Sequence, residues 1–266
     1  MKDQEGIAMA NTSKIVTFNL RFGWEPDGIK HFLHRIGIVF EKIHKEMPDI
    51  IGFQEVRAEQ FIFLERLLTE YRIVGQYRDA DFTGEGLFVA VKKDTYDIIE
   101  YNTFWMSPTP YVSGSRFENQ SECPRICNVV KARHKETGKM IRILNLHLDH
   151  ISDEARILGM ECVLGELKKL NDQLDLPFVI MGDFNAEPGS ETINMCESYE
   201  AFPMVDAADK FEYTFHGFGL MPKTKIDYLY IPKDMKEKVL DVVAWDDEVH
   251  GIPLSDHFPI AMTIEL

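Results

Sequence analysis

The chain has 266 residues, 45% of them hydrophobic, enough to bury one sizeable core. Its formal net charge of -15 sets it against polyanions, and no run of Lys or Arg makes a strong polyanion-binding patch; Lys92-Lys93 and Lys168-Lys169 are isolated pairs. No apolar run approaches membrane-spanning length, the first thirteen residues lack a signal-peptide core, and the four cysteines (Cys123, Cys127, Cys162, Cys196) make no zinc-type double pair. These features predict a cytoplasmic protein with reduced thiols and no membrane partner.

In chain order, 15–20 is an apolar run that predicts a buried strand, and 24–28, with Pro26 and Gly28, predicts a loop. Residues 29–47 place Phe32, Leu33, Ile36, Val39, Phe40 and Ile43 at helical spacing, and Pro48-Asp49 stops that helix. A strand at 50–53 and a helix at 60–68 follow. Strands are then predicted at 71–75, 87–91, 97–105, 129–134 and 141–148, with Thr137-Gly138 turning between the last two. Residues 153–170 predict a helix, 178–181 a buried strand, and 226–231, 239–245 and 259–264 three further strands. The long irregular stretch 107–124 belongs near the mouth of a site, because loops of that length in compact domains tend to be functional. Helix and strand thus alternate in two halves. The predicted fold class is α/β (α+β), a four-layer α/β/β/α sandwich of two stacked mixed sheets flanked by helices. It forms one domain over 14–266, behind a disordered or loosely attached segment 1–13.

Short acidic and histidine motifs stand at the ends of these apolar runs: Gln54-Glu55, Asn145-Leu146-His147-Leu148-Asp149-His150, Gly182-Asp183-Phe184-Asn185, Ile226-Asp227-Tyr228 and Ser255-Asp256-His257. Side chains at strand ends project into the open edge of a sheet. Five such ends converging make an oxygen-rich pocket with histidines, the chemistry of a divalent-metal phosphoesterase. Taken singly each motif has a plainer explanation. Glu55 is a rim charge, Asp183 and Asn185 an Asx turn beside Gly182, and His147 a satisfied core histidine. If the backbone stays extended, Asp183 and Asn185 share one face. Asp227 entering an apolar strand needs a partner, and a protonated histidine is the obvious one. Trp24, Trp105, Tyr111 and Phe117 are candidates to line a pocket that stacks a base or sugar, with Trp105 equally placed as core.

In this order the motifs resemble the endonuclease/exonuclease/phosphatase superfamily over residues 15–264. Within it, 103–107 (Thr-Phe-Trp-Met-Ser), 123–127 (Cys-Pro-Arg-Ile-Cys), 145–150 and 154–156 (Glu-Ala-Arg) resemble the small bacterial branch of metal-dependent hydrolases. The resemblance implies Mg2+ (or Mn2+) as cofactor, with Asn19, Glu55 and Asp256 at the metal. It implies His147 and Asn185 on the scissile phosphate and Asp183 orienting or deprotonating the attacking water. Asp227 would orient His257, which would stabilise the pentacovalent transition state. Asn145 and Arg125 are candidate substrate-binding residues; Arg125 is either a phosphate clamp or a surface arginine paired with an acid. The implied reaction is in-line attack of water on a phosphomonoester or phosphodiester of a small metabolite or nucleotide. A nuclease on single-stranded RNA or DNA is the alternative. A catalytically silent binding module is disfavoured by the complete residue set, and a two-carboxylate glycosidase by the Asp-His pairs. Nothing in the sequence fixes the oligomeric state.

Overall fold

The computed structural model of the chain describes residues 12–266. Two six-stranded sheets carry the architecture. The first has the order β11-β14-β1-β2-β4-β3, built from β1 (Thr12–Asn19), β2 (Ile50–Val56), β3 (Tyr71–Tyr77), β4 (Gly86–Lys92), β11 (Val239–Ala244) and β14 (Ile260–Glu265). The second has the order β5-β6-β7-β8-β10-β9, built from β5 (Tyr96–Trp105), β6 (Ile126–His134), β7 (Met140–His147), β8 (Phe178–Asp183), β9 (Met204–Asp206) and β10 (Asp227–Pro232). β12 (Glu248–Val249) and β13 (Ile252–Pro253) form a separate small ribbon. β1 with β2 and β7 with β8 are the parallel pairs; every other pairing is antiparallel.

Alternation along the strands explains why the central ones read as unbroken apolar runs. Ile15, Ile143, Val179 and Leu229 face a core between the sheets. Their neighbours face outward in two directions: Val16 and Phe18 under α1 (Phe32–Glu46) and α2 (Ala58–Leu67), Leu144, Ile180 and Tyr230 under α3 (Asp153–Gln173) and α4 (Glu191–Glu197). A strand buried on both faces loses the polar half of its pattern. Three cores therefore separate four layers, as the sequence predicts. At about 25 cal/mol per Å² these cores supply most of the favourable folding free energy.

Local signals set the helix ends. The His31 side chain accepts the amide of Leu33 at the start of α1, and Met47 closes it in a left-handed conformation just before Pro48. Ser152 caps α3 by accepting the Ala155 amide. The two sheets approach closely at Gly52, where an added Cβ would lie 2.5 Å from Met181 and 2.8 Å from Asn145.

Two expectations change, and two elements had none. Segment 24–28 is not wholly irregular: from extended Trp24 it enters short 3-10 turns over Glu25–Lys30, kinked at Gly28 (φ 56°). β1 begins at Thr12, so two residues assigned to the loose N-terminal segment are strand, with Ser13 buried against Tyr96; the rest of that segment lies outside the described residues. Helix α4 and strand β9 were not legible, being short and without clear periodicity.

Candidate functional site

The site forms where the carboxyl ends of β1, β2, β7 and β8 open onto solvent, the place such sheets bind ligands. Asn19, His147, Asp183 and Asp227 each lie on the inter-sheet face, at the site-facing end of their strands. Register fixes three of them together: His147 stands opposite Asp183 across β7–β8, and Asp183 opposite Asp227 across β8–β10. Gly182, at φ 145°, lets β8 run hard against β7; an added Cβ would sit 1.9 Å from the Leu146 carbonyl.

Glu55 breaks this parity. Gln54 occupies the inward position on β2, so regular pleating would turn Glu55 outward. A bulge between Phe53 and Val56, with Glu55 at φ 58°, re-aims the carboxylate into the site. Arg21, Asn185 and Phe218 are also left-handed. Four of the seven described non-glycine residues in that conformation thus line one cleft of about 800 Å³. Backbone strain of this kind collects at functional sites.

Hydrogen bonds weld the cluster. Asn19 donates from Nδ2 to Glu55 Oε1 (3.1 Å) and Asp183 Oδ2 (3.0 Å), while its Oδ1 accepts the Arg21 amide (2.9 Å). The side chain assigned to a metal thus acts here as a bracket between two carboxylates. His147 Nε2 lies 3.4 Å from Asp183 Oδ2, and His257 Nε2 lies 3.7 Å from the same oxygen. His257 Nδ1 is 2.8 Å from Asp227 Oδ2. Asp256 lies 3.6 Å from Arg21 Nε.

The electrostatics separate the two histidines. Burial pushes both toward neutrality, and for His147 the neighbours Arg125, Arg78, His257 and His150 push the same way, holding it well below the usual imidazole value. For His257 burial is overcome by Asp227, Asp183 and Asp256, which lift it to about 10. Burial lifts Asp183 to about 7 against the pull of His257. It lifts Asp256 too, aided by the charge of Glu55. Glu55 stays below the usual range because Arg21, His257, Asn19 and the Phe22 amide outweigh its burial. Glu55, His147 and Asp183 offer ligand atoms within 4.8 Å of one another, as do Asp183, Asp227 and His257. Asp256 is in neither set.

A divalent cation fits this donor set. The ligands are mostly hard carboxylate oxygens, and the lifted Asp183 and Asp256 are buried carboxylates short of positive charge.

Not every candidate reaches the site. Asn145 is fully buried between the sheets. Its Nδ2 donates to the carbonyls of Phe53 (3.0 Å) and Phe88 (3.3 Å), and its Oδ1 accepts from Gln54 (2.7 Å). It shares a face with His147 but sits one pleat repeat deeper, so it joins the sheets and touches no cleft. Asn185 lies in the cleft wall, but in a left-handed Asx turn in which Asp183 Oδ1 accepts its amide (2.9 Å), not on an extended strand. Trp105 is core, donating to the Arg78 carbonyl, and Tyr111 and Phe117 do not line the cleft; Trp24 does. Arg125 is buried in the cleft wall against Asp149 (3.7 Å) and His150 (2.8 Å), with Nη1 unpartnered, so it is not a surface arginine. The end of segment 107–124 reaches the cleft through Cys123.

Two residues carried no motif. Arg21 ties Asp256 to Asp27 (3.1 Å). Thr214 Oγ1 accepts the amides of Ile226 (3.1 Å) and Asp227 (2.9 Å), while its carbonyl accepts the Phe258 amide (2.7 Å). It fastens the Asp227 strand to the His257 turn. Thr214 sits in an unpatterned loop where no sequence signal marks it; Arg21, two residues beyond Asn19, was within reach.

The sequence profile described as Endonuclease/Exonuclease/phosphatase family matches residues 16–257. An endonuclease/exonuclease/phosphatase from Bacteroides vulgatus is 31% identical at a TM-score of 0.87, over 96% of this chain and 99% of that one. A functionally unknown conserved protein from Enterococcus faecalis is 28% identical at 0.84, over 95% and 100%. A mannosyl-6-phosphatase from Bacteroides thetaiotaomicron is 24% identical at 0.82, over 94% and 98%. No curated protein matches the chain. Among the described residues no helix is long and apolar enough to cross a membrane.

Proposed function

The chain belongs to the Endonuclease/Exonuclease/phosphatase family, and from that premise we propose that it is a divalent-metal-dependent phosphoesterase. It hydrolyses a phosphomonoester or phosphodiester of a small metabolite or nucleotide by in-line attack of water. The observation that carries this reading is the placement of Asp183, lifted to about 7, within 3.4 Å of neutral His147 and 3.7 Å of cationic His257.

Asp183 is the base. A carboxylate poised near neutrality can take the proton of an attacking water and still be deprotonated at working pH. His257, held charged by Asp227, meets the negative charge that builds on the phosphoryl oxygens. His147 donates a neutral hydrogen bond to the same group, and Asn185 and the unpartnered Nη1 of Arg125 position it. These donors are fixed before substrate arrives, so they cost no reorganisation during reaction. Glu55 and Asp256, bracketed by Asn19 and Arg21, would hold Mg2+ (or Mn2+), which when bound supplies Lewis-acid charge at the phosphoryl group. Four free thiols accord with a reducing, cytoplasmic setting.

The test is hydrolysis of p-nitrophenyl phosphate and bis-p-nitrophenyl phosphate with Mg2+, with Mn2+ and with chelator. Chelator-sensitive release of nitrophenol supports the reading, and the preferred ester separates monoester from diester chemistry. Release that persists in chelator, or in Asp183→Ala, overturns the assignment.

A further inference from the structure

Beside the catalytic groups the cleft carries an apolar wall, Phe22, Trp24, Phe215, Phe218, Leu220 and Met221, and Phe215 packs on His257 itself with ring centroids 4.8 Å apart. Folding does not account for it. Trp24 is 48% exposed, Leu220 85% and Met221 57%, whereas Trp105 and Trp245 are buried. Large apolar side chains gathered at the mouth of a polar site mark ligand contact.

Trp24 is held in place before any ligand arrives. The Arg21 guanidinium lies over both the Phe22 ring (4.8 Å) and the Trp24 ring (5.1 Å) and is anchored by Asp27 and Asp256. Buried Arg35 binds the carbonyls of Arg21, Lys30 and Leu254, pinning the backbone on either side of Trp24. Gln60 adds a second bond to the Arg21 carbonyl. Phe218 is fixed likewise, with Lys30 bonded to its carbonyl and both Lys30 and Arg35 beside its ring. Two contacts, of 3.6 and 5.1 Å, separate the Asp256 carboxylate from the indole.

We propose that this wall is a ring-stacking subsite. The substrate is a phosphoester whose organic group carries a flat unsaturated ring, as a nucleoside phosphate does, seated on the Trp24 indole. The proposal rests on the phosphoesterase reading of the same cleft. A bare sugar would call for free hydrogen-bonding side chains, whereas of the six in the wall only the indole carries a donor, and the adjoining Arg21 and Asp27 are already paired with each other. An acyl chain would call for a continuous apolar surface, and Arg21 and Asp27 interrupt this one. A base stacked on an aromatic ring needs only the π-face, and a ring fixed in advance loses little entropy on binding.

The experiment compares adenosine 5′-monophosphate with ribose 5-phosphate, which carries an anomeric hydroxyl in place of the base. Metal-dependent turnover and quenching of tryptophan fluorescence are followed in the wild type, Trp24→Phe and Trp24→Leu. The expected result is a preference of about tenfold or more for the nucleotide, from stacking worth roughly 1–3 kcal/mol per base. That ratio survives in Trp24→Phe and collapses in Trp24→Leu, chiefly through KM. The nucleotide quenches wild-type fluorescence and ribose 5-phosphate does not. Equal handling of both compounds, or a ratio unmoved by Trp24→Leu, overturns the subsite while leaving the phosphoesterase standing. Quenching by the nucleotide without turnover of either compound supports the subsite and removes the monoester half of the phosphoesterase reading. Neither turnover nor quenching overturns the subsite and monoester hydrolysis together.

Discussion

His257 Nδ1 lies 2.8 Å from Asp227 Oδ2, with both side chains buried and the second imidazole nitrogen directed at Asp183. The carboxylate keeps the imidazole charged at a depth where burial alone would neutralise it. The pair belongs to two distant segments, and Thr214 fastens one to the other.

Replacing either partner should therefore act on catalysis more than on folding. Asp227→Asn keeps the shape but removes the charge that holds the imidazolium, and His257→Ala removes the group itself. Each is expected to lower kcat by roughly 10²- to 10⁴-fold. Thr214→Val should lower kcat less, with KM nearly constant, and Thr214→Ser should restore it. Steady-state kinetics beside far-UV circular dichroism would check this. Near-normal kcat in Asp227→Asn with the fold retained would remove the pair from the mechanism.

Much of this site was legible because strand alternation is a strong rule. Asn19, His147 and Asp183 are polar residues closing apolar runs and Asp227 opens one, and pleating sends all four to one face. Where the backbone leaves the regular pleat, the rule stops. Glu55 reaches the site only through a bulge, and Asn185 only through a left-handed turn. Depth along a strand is equally hidden from sequence, which is why Asn145 looked like a neighbour of the phosphate. Of the apolar wall only Trp24 was named from the sequence: Phe218 is brought to the same cleft by Lys30 and buried Arg35 from across the chain, which no local pattern encodes.

Asn145 should matter for stability. Its removal takes a buried donor from the carbonyls of Phe53 and Phe88 and leaves the Gln54 amide with only Thr17 and the Gly52 carbonyl as acceptors. A buried group left unsatisfied costs about 1–3 kcal/mol. Asn145→Ala is expected to lower the unfolding free energy by at least that much, read from the urea midpoint. A midpoint matching wild type, with activity lost, would return Asn145 to the substrate.

Divalent cations should stabilise the folded chain, because they bind carboxylates that exist as a cluster only when it is folded. At a concentration one hundred times Kd the gain is about 2.7 kcal/mol. Mg2+ or Mn2+ is expected to raise Tm, chelator to reverse the rise, and Glu55→Gln to diminish it. A Tm indifferent to both metals would argue against a cation at Glu55.

Asp149 provides a test of acid stability. Burial works to raise its pKa, but bonds from Ser121, from the Ser152 and Ile151 amides and the charge of Arg125 hold it below the usual aspartate value. A carboxyl depressed in the folded state contributes stability in full above its unfolded value, about 3.9, and loses it as pH falls toward the folded value. Asp149→Asn should therefore be less stable than wild type at pH 7, and the difference should shrink as pH falls below about 4. Urea unfolding at pH 7, 5 and 3.5 would follow it. A difference that stays constant down to the acid end would mean that Asp149 contributes by shape and hydrogen bonding, and not by its charge.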